Sequence, residues 1–212
     1  EKINRYLLHA GSFNKVNTEF FSWALFDWVN KENFLVINSA MGIVDEPIDY
    51  NDREYIEISR INPWKLIISK PIVGKVSRID LVPLSFGVTD DDGKYLGTLV
   101  TGFEVEKVND RLENSLISKE SINYIILTKA GDILLSSDRN LLGSVKKLKQ
   151  VVELEEFVSK KKEGKVFNKP LAVNNYKYYY SNYIPEYELF VLTGFTTDKI
   201  GDNYKNTILS AL

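Results

Sequence analysis

The residues best equipped for recognition chemistry in this chain are a guanidinium, a phenol and a carboxylate. Arg53 and Tyr55 stand in "DREYIEISRI", and Glu104 in "TGFEV". Glu104 is flanked by apolar residues, where a carboxylate is costly to bury unless paired. Two readings stay open. On an alternating strand Phe103 and Val105 face inward and Glu104 faces solvent. Alternatively Arg53 and Glu104 face one cavity walled by Tyr55, Ile72 and Phe86, with Arg78 beginning a neighbouring strand. Opposite charges would then meet the two ends of a small polar ligand. Arg53 would anchor an anionic group through charge-assisted hydrogen bonds.

Catalytic chemistry has little to draw on. His9 is the single histidine and there is no cysteine. That excludes disulfides, thiolate zinc sites and a Cys nucleophile, and strains any Ser-His arrangement. No GxGxxG or GxxxxGK[ST] fingerprint occurs. The glycines of "GKYLGTLVTG" fall on a strand rather than in a phosphate cradle. Asp90, Asp91 and Asp92 cluster in a turn, but a calcium loop would need an acidic residue near Leu99. Glu153, Glu155 and Glu156 share a helix without sharing a tight face and read as surface. No cofactor or metal is expected. A secreted hydrolase would need a converging acid–base pair in a cleft, and the missing His and Cys count against it.

The formal net charge of −2 comes with no long basic run, so nucleic acid is not an expected partner. No window reaches the ~18 apolar residues of a membrane helix. The 212 residues, 44% apolar, suffice for one large core or two small ones. The chain begins at Glu1 without a signal peptide and stops inside the helix-like "NTILSAL". Both ends read as cut from a longer protein, with membrane helices among the expected flanking segments; a trimmed soluble protein is the alternative.

The elements that must position these residues follow from pattern. "NTEFFSWALFDWVNKEN" carries Phe21, Ala24, Leu25 and Trp28 on one helical face, giving an N-terminal helical segment over residues 1–30. Phe34–Asn38 is a strand, and Asp45–Asn51 a loop in which Pro47 forbids a central strand. Asp52 caps a short helix to Arg60, stopped before Pro63. Strands are predicted over residues 65–69, 79–89 and 94–106, with Asp92-Gly93 as a type I′ hairpin turn. A helix over 107–118 closes this half.

The pattern then restarts. "INYIILTKAGDILLSS" is strand, Gly turn, strand. An amphipathic helix from Val145 ends at Gly164. Strands follow over 165–169, 171–183 and 188–197, with Pro185-Glu186 at a turn, and Asp198 caps a final helix. The Tyr-rich "NNYKYYYSNYIPEYE" suits the core and edge of a sheet, or a sugar- or membrane-touching surface. The predicted class is α+β with four parts: a helical segment 1–30, a module 31–118, a second module 119–197 and a helix 198–212. Each module is a central antiparallel sheet with helices on its faces.

In this order the motifs resemble the double Cache (PAS-like) extracytoplasmic sensor domains of bacterial receptors. The resemblance is carried by Asp52, Arg53 and Tyr55, then Pro71 and Gly74, then Asp92-Gly93 and Gly97. "ILTKAGDILLSSDRNLLG" resembles the start of the second, membrane-proximal module. It implies an N-terminal stalk helix that pairs two copies of the receptor, and a place in the periplasm between two membrane helices. It also implies an output domain beyond Leu212, of the histidine kinase, diguanylate cyclase or chemoreceptor type. The distal module is then the one that holds a ligand. Amino-acid-binding members pair an Arg and aromatics on the pocket helix with an acid on the last strand, which Arg53, Tyr55 and Glu104 match. Ile56 stands where a second aromatic is usual, Glu104 replaces the usual Asp, and Ile72 or Val73 stands near a usual Tyr. Arg78 stands where related kinases and cyclases often carry Gly. A ligandless spacer or protein-interaction module of the same receptor type is the alternative.

Overall fold

The structure is a computed structural model and describes residues 26–115, 123–142, 166–167 and 178–195. The chain divides into two compact units, Glu1–Val108 and Asn109–Leu212.

In the first unit, seven strands form one antiparallel sheet. They are β1 (Asp27–Asn30), β2 (Phe34–Asn38), β3 (Gly42–Asp49), β4 (Leu66–Ile68), β5 (Ile72–Val73), β6 (Asp80–Thr89) and β7 (Tyr95–Glu104). The order is β3-β2-β1-β7-β6-β4, and β5 also pairs with β6. Helix α1 (Glu54–Ile61) enters between β3 and β4, and α2 (Val105–Ser115) follows β7.

Strand β1 differs from expectation. The helical reading runs through residues 27–30, yet these form a strand in the middle of the sheet, with Trp28 opposite Ile37 on one side and Leu99 on the other. Two flanking ladders satisfy its backbone groups and Val29 is fully buried, so tertiary pairing overrides a local helical period. The expected helices over residues 1–25, from Val145 to Gly164 and beyond Asp198 lie outside the described residues.

Three smaller features also differ. Residues 45–49, read as loop, continue β3; this is an edge strand, where Pro47 costs no ladder bond. Helix α1 starts one residue later than predicted, with Arg53 rather than Asp52 at the N-cap and no side-chain cap. At the β6–β7 hairpin only Gly93 has a positive φ, 79°. The Gly93 N–H donates to Asp90 O and the Asp90 N–H to Lys94 O. This is a three-residue loop with glycine in the left-handed position, not a type I′ turn.

Helix α1 lies against one face of the sheet, burying Tyr55, Ile56 and Ser59. Side chains alternate along a strand. The cross-strand pairs Leu81–Glu104, Ser85–Val100 and Gly87–Thr98, with Asp27 opposite Val100, therefore present one set of side chains to α1. Ser59 Oγ and Ser85 Oγ are 2.7 Å apart in a fully buried pair, and Ser85 Oγ also donates to the Tyr55 carbonyl at 3.3 Å. Glycine at position 87 permits the close approach, because a Cβ there would sit 2.1 Å from the Ser59 carbonyl oxygen. Val29, Leu35, Tyr50, Tyr55, Ile56 and Val100 make the core between helix and sheet.

The second unit carries a five-stranded antiparallel sheet of order β10-β11-β12-β8-β9. Its strands are β8 (Asn123–Thr128), β9 (Ile133–Ser136), β10 (Val166–Phe167), β11 (Tyr178–Ile184) and β12 (Leu189–Phe195). Gly131, with φ of 90°, makes the predicted turn between β8 and β9, and residues 185–188 turn β11 into β12. Asn109 of α2 is fully buried; its Oδ1 accepts from the Tyr124 hydroxyl at 2.8 Å and from the Ser136 N–H at 3.3 Å. Those bonds tie α2 to the second sheet from Asn109 onward. The division accordingly falls after Val108, ahead of the Ser118 expected from pattern.

Candidate functional site

Beneath α1, on the sheet face it covers, lies a cavity of about 60 Å³. That is several times the ~10–15 Å³ one water requires. The sheet supplies Asp27 from β1, Leu81 from β6, and Val100 and Glu104 from β7. Tyr50 comes from the segment before α1 and Tyr55 from its first turn. Ile72 of β5 and the turn Gly74–Ile79 complete the wall.

Asp27 is the chemically distinctive group. Its Oδ1 accepts from Asn38 Nδ2 at 2.7 Å and its Oδ2 from the Tyr50 hydroxyl at 3.1 Å. Burial pushes its carboxyl up from 3.8 to about 6, and the hydrogen bonds from Asn38 and Tyr50 only partly oppose this. Burial, and then the Asp27 charge, hold the Tyr50 hydroxyl above the ordinary tyrosine range. The Tyr55 hydroxyl is likewise raised, by burial first. Tyr55 is 3% exposed, and its hydroxyl has no hydrogen-bond partner among the described residues. Ser77 Oγ, in the turn, is also buried without a partner.

The turn is held from the other side. Lys75 Nζ pairs with Asp52 at 2.6 Å and lies 5.6 Å from the centre of the Tyr50 ring. Burial would raise Asp52, but the hydrogen bond from Lys75 and the charge of Arg53 outweigh it and hold this carboxyl below its ordinary value. Arg78 has φ of 60°, the left-handed region that glycine favours, and donates its N–H to Gly74 O.

Of the residues singled out from sequence, Tyr55, Ile72 and Glu104 line the cavity together. Glu104 is 19% exposed and pairs with Lys107 at 2.7 Å, one helical turn away. Arg53 stands beside the cavity wall rather than in its lining. Its Nη2 donates to Val73 O at 3.1 Å and its Nε lies 3.6 Å from Asp52. Arg78 is exposed in the turn and is not a lining residue. Phe86 is opposite Leu99, on the alternate register of β6, and therefore on the face turned away from the cavity. It packs edge-on against Trp64, with centroids 5.7 Å apart.

Sequence reasoning missed Asp27, Tyr50 and the turn residues. The signal for Asp27 was present: a carboxylate between Phe26 and Trp28 raises the same question as Glu104. Reading the segment as helix hid it.

The arrangement is a helix over an antiparallel sheet, with polar side chains lining a small cavity between them. The fold is of the PAS-like, Cache type. No protein-family model and no curated protein sequence matches the chain. Solved structures do. The extracellular domain of rpHK1S-Z16, assigned as a histidine kinase, superposes with a TM-score of 0.70 at 18% identity, over 93% of this chain and 78% of that one. The ligand-binding domain of the Pseudomonas fluorescens chemoreceptor CtaA, solved with L-valine, gives 0.58 at 10% identity, over 86% and 75%. That of the Pseudomonas aeruginosa PAO1 amino acid chemoreceptor PctC, solved with GABA, gives 0.55 at 17% identity, over 85% and 75%.

Proposed function

We propose that this chain is the extracytoplasmic ligand-sensing part of a transmembrane receptor, and that the cavity under α1 is its ligand site. The observation that carries this reading is the cavity itself, walled by Asp27, Tyr50, Tyr55 and Glu104 between helix and sheet. The ligand is a small polar molecule. Tyr55 offers it an unused hydroxyl, and Ile72 and Val100 offer apolar contact. Arg53 serves the site by holding Val73 and hence the turn that follows, rather than by binding the ligand.

In this reading the ligand closes the turn Gly74–Ile79 onto the sheet. A ligand with different affinity for the open and closed turn shifts their populations, and that difference is the signal. The receptor would pair through its N-terminal segment and pass the shift through its C-terminal segment to a kinase, cyclase or chemoreceptor output domain across the inner membrane. The fragment itself has no catalytic role in this scheme.

The cavity's modest volume also suits a second reading, in which the module is a ligandless spacer or binds another protein. A thermal-shift screen of small metabolites, followed by calorimetry, separates the two. Binding that weakens in Tyr55→Phe and Glu104→Gln supports the cavity as the site. Binding that persists unchanged in both removes it, and a screen without any hit favours the spacer.

A further inference from the structure

We infer that the cavity selects a small organic cation, a primary ammonium of a few heavy atoms, with the Asp27 carboxylate as its counter-charge. This rests on the cavity being a ligand site.

Three charged residues line the cavity: Asp27, Glu104 and Lys75. Two of them are already neutralised by their neighbours. Lys75 is paired with Asp52 at 2.6 Å and Glu104 with Lys107 at 2.7 Å. Asp27 has no cationic partner among the described residues; it accepts only from a neutral amide and a neutral phenol. A buried carboxylate without a counter-charge is costly, and a ligand that brings the missing positive charge removes that cost. An anion would meet the opposite situation. Two guanidiniums lie nearby and neither is in the lining: Arg53 donates through Nη2 to Val73 O and lies 3.6 Å from Asp52, and Arg78 is exposed in the turn.

Two further groups suit an ammonium and its short chain. The Tyr55 hydroxyl has no partner among the described residues, and Ser77 Oγ is buried without one; both residues line the cavity. Each can accept an N–H. Leu81 and Val100 in the same lining offer apolar contact to a short alkyl chain. The volume of about 60 Å³ suits a ligand of a few heavy atoms.

The groups that share the cavity with Asp27 are Tyr50 from the segment before α1, Tyr55 from α1, Lys75 from the turn and Glu104 from β7. Burial holds the Asp27 carboxyl protonated up to about pH 6. The free site therefore carries its charge above that pH and loses it below.

The test is calorimetry on the purified fragment with four probes of similar size: n-propylammonium, propionate, n-propanol and L-alanine. The expected result is that n-propylammonium binds most tightly at pH 7, about tenfold more weakly at pH 5, and at least tenfold more weakly in Asp27→Asn. Glu104→Gln retains the pH dependence. The wild-type pH profile stands by itself if Asp27→Asn does not fold. Tighter binding of propionate, propanol or L-alanine, displaced by substitution at Tyr55, overturns the cation assignment while leaving the cavity a ligand site. Failure of all four probes also overturns it, and the metabolite screen then decides the cavity reading separately.

Discussion

The Tyr50 hydroxyl donates to the Asp27 carboxylate over 3.1 Å, joining the segment that leads into α1 to a strand in the middle of the first sheet. With Asn38 on the other carboxylate oxygen, Asp27 links β1, β2 and the helix entry. A single acidic side chain thus organises one wall of the cavity and carries its unpaired charge.

Asp27 makes the fold's stability fall as pH rises through the weakly acidic range. Its carboxyl has a folded value of about 6 against 3.8 in an unstructured chain, so the folded state binds the proton more tightly. The linkage sign then follows. Below about pH 4 both states are protonated and there is no penalty; between about 4 and 6 stability is lost; above 6 the loss is complete. At 1.36 kcal/mol per pH unit the full loss is about 3 kcal/mol. Urea denaturation of wild type and Asp27→Asn from pH 4 to 8 should show this slope in the wild type, flattened in the variant. Identical profiles would disprove it.

Tyr50→Phe removes one of the two donors that favour the ionised form of Asp27. The Asp27 carboxyl should titrate higher still, and the fold should lose about 1–3 kcal/mol at pH 7. Carbon-13 NMR titration of the aspartate carboxyls measures the first effect and urea denaturation the second. A lower Asp27 value in the variant would show that the phenol does not support the charge.

Gly87→Ala tests how α1 is seated. The new Cβ would meet the Ser59 carbonyl oxygen at 2.1 Å, and backbone cannot yield as a flexible side chain can. The helix must lift, breaking the Ser59–Ser85 pair, at a cost of about 1–3 kcal/mol or more. Hydrogen exchange should show faster opening of Tyr55–Ser59 amides. Unchanged stability would mean that α1 and β6 do not approach as described.

In the second unit, Asn109→Ala should cost about 1–3 kcal/mol, because it removes the side-chain acceptor of the Ser136 N–H and leaves the Tyr124 hydroxyl only the long 3.4 Å contact to Asn109 O. Burial already holds the Tyr124 hydroxyl up to about 12, so it cannot escape its lost partner by ionising. A thermal midpoint equal to that of wild type would show that the bonds are not made.

Much of this was legible in the chain. The α+β class, the β6–β7 hairpin, the Gly131 turn and the breaks at Pro63 and Pro185 rest on local causes: alternation of apolar residues, and backbone angles that few residues tolerate. Tyr55 and Glu104 could be marked as cavity candidates because a polar group within an apolar run needs a reason. The sequence could not decide β1, because four residues after a helix-like run become strand only when β2 and β7 flank them. It could not place Phe86 either, since one step of register moves a side chain to the other face of the sheet. The charge balance of the cavity was likewise decided in three dimensions. Local chemistry supplied Arg53, Lys75, Glu104 and Asp27, but long-range pairing engaged the first two, α2 engaged Glu104 through Lys107, and Asp27 kept a charge with no cationic partner among the described residues.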